Sequence, residues 1–173
     1  MLETLLIIFL ITLFYMSIAN RMRNYIKILI YQGVLLFLVA AFHLKEFNVF
    51  NRISILRETI VFKAVAVPYC LERIIRHNNI TRETEPYLPH FVSLLITTLV
   101  VVLSVLLSGS IEDIILDKFF FVAAVYAIFT GIYLIVSRRK ILTHVVGYCV
   151  IENGVFILSL AVGNEMPALV NLG

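Results

Sequence analysis

Residues 91–107 and 119–136 are apolar runs without a single charged side chain, and each comes close to the ~20 residues that carry a helix across a bilayer. Apolar side chains make up 61% of the chain and charged ones 14%, against roughly 45–50% and 25% in ordinary globular proteins. A single water-soluble core of 173 residues has no room for so much apolar surface. The chain is therefore expected to be all-α and polytopic, one membrane domain over residues 1–173. About six spans are expected, near 4–19, 26–44, 54–75, 91–107, 118–136 and 141–163.

Charge excludes some functions and orients the rest. A net charge of +3 is compatible with a nucleic-acid partner, but the basic residues fall in short clusters between apolar runs, which is the mark of membrane topology rather than a phosphate footprint. The first apolar run is not built like a secretory leader. Glu3 is the only charge ahead of it, and Arg21 and Arg23 follow it, so it is retained as a helix.

The third segment is ambiguous, because it contains Glu58, Lys63, Pro68 and Glu72. If it spans, the clusters Arg21, Arg23, Lys27 and Arg73, Arg76, Arg82 and Arg138, Arg139, Lys140 share one side. Lys45, Arg52, Arg57 and Lys118 then lie on the other. If it lies in the interface, the region from Lys45 to Arg82 joins Arg138–Lys140 on the basic side. Both arrangements satisfy the excess of cytoplasmic Lys and Arg about equally, and both make the 138–140 turn cytoplasmic. The loop from His77 to His90 is a polar connector.

Glu152 is the most informative residue, since it falls about 18 Å along a helix from Lys140, near the middle of the bilayer. Its helical neighbours Tyr148, Cys149, Val155 and Phe156 carry no cation, so the carboxyl has to be protonated, hydrated or paired with another helix. Gly147 and Gly154 share a face roughly opposite, where a second helix can approach closely. A structural role, hydrogen-bonded to a neighbouring helix, is the competing reading of Glu152.

Lys63 also lacks a counter-charge on its own helix and is expected to find an acid elsewhere or to extend toward the interface. Pro68 cannot donate to the carbonyl of Ala64 and is expected to kink the helix beside the ammonium. His144, one turn inside the cytoplasmic end of the last helix, could pass protons or simply cap an interface, and the second reading is preferred. Glu58 and Glu72 are expected to reach headgroup water, and Glu165 to lie in the external loop. Cys70 and Cys149 are read as buried, inert thiols. There is no long repeat, no Gly-rich phosphate loop and no Cys or His pair at metal-ligand spacing.

The stretch from Ser137 to Phe156, SRRKILTHVVGYCVIENGVF, resembles the signature of the hydrogenase-4 component E family. That family supplies a membrane subunit of formate hydrogenlyase-type complexes and is similar to the small membrane subunit K of respiratory complex I. The later EMPALVNLG fits as well, and FKAVAVP (62–68) resembles the lysine-bearing helix of the family, which favours a spanning third segment.

The resemblance implies that the last two helices correspond to the subunit K hairpin and that Glu152 is its buried glutamate, in a proton relay with Lys63. Antiporter-like and quinone-subunit-like neighbours are implied in a prokaryotic plasma membrane. Cofactors are implied in those partners, as iron–sulfur clusters and a nickel–iron centre, with none in this chain and no active site of its own. The family continues beyond the position of Gly173 into a helix with a further acidic residue, so a second carboxylate is not assigned. The alternatives are the small C-type component of a multisubunit cation/proton antiporter and a purely structural membrane anchor.

The orientation is testable. A cysteine placed at position 139 should be shielded from an impermeant thiol reagent in intact cells, and one placed at 165 should react. The opposite pattern would invert the topology.

Overall fold

The computed structural model describes residues 1–19, 21–43, 67–77, 89–110 and 117–162. Among them are six α-helices and no strand: α1 (Leu2–Ile18), α2 (Met22–His43), α3 (Val67–His77), α4 (His90–Gly109), α5 (Lys118–Ser137) and α6 (Ile141–Ala161). Four are long and apolar enough to cross a membrane, over Met22–Phe42, Phe91–Gly109, Lys118–Ser137 and Ile141–Ala161. α1 is equally apolar but shorter, at 17 residues. The chain is thus built as a multi-pass membrane protein.

Helix positions follow the apolar runs because lipid leaves the backbone no other partner than its own. The differences lie at the ends. α2 begins at Met22, ahead of the expected 26, because Arg23, Asn24 and Lys27 are accommodated in its first turns, where long polar side chains can reach the interface. The Tyr25 hydroxyl donates to the Ala19 carbonyl at 2.7 Å and ties the α1–α2 corner. At the start of α5 the Asp117 carboxylate accepts from the amides of Phe119 (3.1 Å) and Phe120 (3.4 Å), an N-cap for orphan donors. α3 is described from Val67 onward, so most of the expected 54–75 helix, with Glu58, Lys63 and the proposed kink at Ala64, lies outside the described residues.

α5 and α6 form the most extensive pairing. A Cβ added at Gly131 would stand 2.7 Å from the Gly147 carbonyl oxygen, and one added at Gly147 would stand 2.8 Å from that of Gly131. At Gly154 it would meet the Ile128 amide nitrogen at 2.9 Å. The two backbones therefore touch along the Gly147–Gly154 face, as their spacing predicts. At the far end of the hairpin the Asp117 amide donates to the Ala161 carbonyl at 3.1 Å.

The remaining helices surround this pair. α1 packs on α2, α4 and α5, α2 also packs on α6 and α3, and α4 lies along α5. The α1–α2 corner and the α5–α6 turn occupy the same end, because Arg138 Nη2 donates to the Ser17 carbonyl at 2.9 Å. α4 begins at that end, with Ser93 bonded to Tyr133 near the end of α5, and finishes at the other, with Ser108 bonded to the Lys118 carbonyl. The chain thus leaves α2 at the end away from the basic turn and enters α4 at the basic end.

Gly147→Ala should destabilise the protein by about 1–3 kcal/mol, the usual cost of overpacking. Gly109→Ala should be close to neutral, since a Cβ there meets nothing within 4 Å. Thermal unfolding in detergent, measured for both variants, checks the contrast.

Candidate functional site

The rotation of α6 is set by its glycine face, and this decides where its polar residues point. Ile141, Val145, Tyr148, Glu152 and Val155 form the exposed stripe of the helix. Glu152 is therefore on the outer surface of the bundle, halfway along a spanning helix, bounded by the exposed apolar surfaces of Val145, Tyr148 and Val155. Its neighbour Asn153 points the other way and is buried.

Asn153 belongs to a polar cluster that the sequence reading did not single out. Its Nδ2 donates to Gln32 Oε1 on α2 at 3.4 Å, and Gln32 Nε2 donates to Thr12 Oγ1 on α1 at 3.2 Å. Thr12 Oγ1 in turn donates to the Phe9 carbonyl at 2.6 Å. Three helices are thus joined through side chains inside the bundle, with Gln32 fully buried. A usable signal existed in Gln32, the one amide in the apolar part of α2, but hydropathy averages it away.

Arg138, read from sequence as a topology marker, is 2% exposed. Its guanidinium serves the Ser17 carbonyl, one of the acceptors left over at the C-terminus of α1, where a cation is also favoured by the helix dipole. His144 is half-buried and its Nε2 hydrogen-bonds the Arg138 carbonyl at 2.9 Å, with the tautomer set by that contact. That contact ties the 138–140 turn to the first turn of α6. His144 and Glu152 lie on one helix about 12 Å apart along its axis, so they do not form one site.

Lys63 and Glu165 lie outside the described residues. Glu72 is exposed and lines an open cleft with Tyr69, Arg73 and His77. Cys70 is exposed and only Cys149 is partly buried, which corrects the buried reading of Cys70. The cause is the amphipathic character of α3, which buries Leu71 and Ile75 and turns Cys70 outward. Among the described residues no group of His, Cys, Asp and Glu is arranged to hold a metal ion.

No family model, curated protein or solved structure matches this chain.

The amide cluster can be measured by a double-mutant cycle on Gln32→Ala and Asn153→Ala. The coupling should be about 0.6 kcal/mol and no more than ~1.7, the range found for buried polar pairs between membrane helices, with the 3.4 Å separation placing it toward the lower figure. A zero coupling in reversible unfolding would reduce the two amides to mere neighbours.

Proposed function

We propose that this chain is a membrane subunit of a complex I-related, energy-converting oxidoreductase of the hydrogenase-4 or formate hydrogenlyase kind, and that it contributes Glu152 to a proton path shared with neighbouring subunits. The observation that carries this reading is the outward position of Glu152 at mid-helix. A carboxyl in the hydrocarbon zone marks a cavity, a water path or a polar partner far more often than plain lipid, and one that faces away from its own bundle is accessible to other chains. The resemblance of the 137–156 stretch to component E supplies the chemical identity of the complex, with electron carriers held by the partner subunits.

Lys63 is the second proposed relay element. Lys63 lies outside the described residues, and its assignment rests on the resemblance of residues 62–68 to the lysine-bearing helix of component E. His144 has a capping role in this scheme, since its Nε2 is engaged by the Arg138 carbonyl. The basic 138–140 turn faces the cytoplasm of a prokaryotic cell.

Glu152→Gln separates a relay from a scaffold, because glutamine keeps size and hydrogen bonding but cannot exchange a proton. The variant complex should assemble and retain electron transfer while its coupled proton uptake in proteoliposomes falls. Glu152→Asp should keep part of the coupling, since the carboxyl survives with shorter reach. In a scaffold the order is reversed: glutamine is benign for pumping, and Glu152→Ala disrupts assembly by deleting a hydrogen-bonding group from the interface. Unchanged pumping per assembled complex in the glutamine variant overturns the relay.

A further inference from the structure

The seam between α4 and α5 is lined with hydroxyls. On α4 the buried polar residues are Ser93, Thr97, Ser104 and Ser108, which lie on one face at 100° per residue. On α5 the buried side chains Tyr126, Thr130 and Ser137 fall within about 40° of one another, and Tyr133 lies close to the same line. The two stripes meet, because the Tyr133 hydroxyl donates to Ser93 Oγ at 2.6 Å. The antiparallel register set by that contact and by the bond from Ser108 to Lys118 puts Thr130 level with Thr97.

Small hydroxyl residues at four-residue spacing are also the ordinary means by which membrane helices pack closely. On α4 that accounts for part of the pattern: Thr97 donates to the Ser93 carbonyl and Ser104 to the Val100 carbonyl at 2.8 Å. It does not account for α5. Tyr126 Oη, Thr130 Oγ1 and Ser137 Oγ have no hydrogen-bond partner among the described residues, although these side chains are only 1%, 1% and 3% exposed. The Tyr126 and Thr130 side chains approach each other in a weak hydroxyl contact that falls outside full hydrogen-bond geometry and leaves both hydroxyls with donor and acceptor capacity to spare. Hydroxyls buried in this way cost free energy unless something completes them, and at membrane depth the available small partner is water.

We infer that the α4–α5 seam binds a file of water molecules, held by Ser137 and the Tyr133–Ser93 pair at the basic end, by Thr97, Thr130 and Tyr126 at middle depth, and by Ser104 and Ser108 toward the far end. From Ser93 to Ser108 the lining runs about 22 Å along α4, most of the ~30 Å hydrocarbon layer. The file is electrically neutral and belongs to a different face of the bundle from Glu152. The α6-facing side of α5, with Gly131, points away from the Tyr126 stripe by about 140°. Continuous hydrogen bonding through water and hydroxyls is what proton hopping requires, so the seam provides the chain with a hydrated route of its own.

Water-edited solid-state NMR tests this on the full chain, isotope-labelled and held in lipid bilayers with the subunits that co-purify with it. Magnetisation from water should reach Thr130 and Tyr126 several-fold faster than the fully buried Ala127 and Leu134. Build-up at Thr130 and Tyr126 as slow as at Leu134 overturns the proposal. Thr130→Val keeps the shape and removes the hydroxyl, and should slow transfer to Tyr126 as well. Unchanged transfer to Tyr126 would mean separate waters and no file. If that variant does not fold, Ser104→Ala gives the same reading deeper in the seam. The readout does not depend on pumping, so failure of the Glu152 relay and failure of this proposal remain distinct results.

Discussion

The direct contact of α5 and α6 through Gly131, Gly147 and Gly154 governs the arrangement of everything around it. Between membrane helices no hydrophobic gain rewards association, because lipid tails are as apolar as leucine, so close van der Waals packing has to supply it. Here the carbonyl of each facing glycine occupies the space that the other's Cβ would need. That interlock fixes the separation of the helices and also the rotation of α6 about its axis. Glu152 is turned outward and Asn153 inward as consequences of that one contact.

The second hairpin is joined to the first by polar groups. At the basic end Arg138 reaches the Ser17 carbonyl of α1, and at middle depth Asn153 and Gln32 connect α6 through α2 to α1. Each bond is modest in net worth. Their value lies in direction, since an apolar interface tolerates sliding and rotation whereas a buried amide or guanidinium has few satisfying positions. The two tethers sit at different depths, so together they resist both tilting and rotation of the α1–α2 pair against α5–α6.

Much of this fold is legible in the sequence, and the reason is physical. The apolar runs mark α1, α2, α4, α5 and α6 within a few residues because hydrocarbon forces a helix wherever it surrounds the chain. The spacing of Gly147, Glu152 and Gly154 gives their relative angles because a helix turns by a fixed amount per residue. The rest depends on which face meets which neighbour. Ser and Thr score near neutral on hydropathy, so the hydroxyl seam leaves no trace in it, and Gln32 is diluted by the aliphatics around it. Arg138 looks like any residue of a basic turn until the position of the α1 C-terminus is known. The position of Glu152 along α6 follows from sequence alone, while the direction it faces requires α5 to be in place.

α4 and α6 offer their surroundings two different surfaces. The outer face of α4, with Phe91, Leu95, Leu99, Val102 and Leu106, is one that acyl chains can cover without penalty. The outer face of α6 is equally apolar except for Glu152, and acyl chains alone are a poor cover for a carboxyl at that depth. Nor can α6 turn to hide it, because a rotation large enough would carry Gly147 and Gly154 off α5 and drive bulkier side chains into the space of its backbone. Any group that exchanges a proton with Glu152 from outside the chain has to approach this one face. In the proposed complex that face is the one a neighbouring subunit would approach. The same glycine contact that stabilises the hairpin thus holds the acid in the orientation that a relay between chains requires.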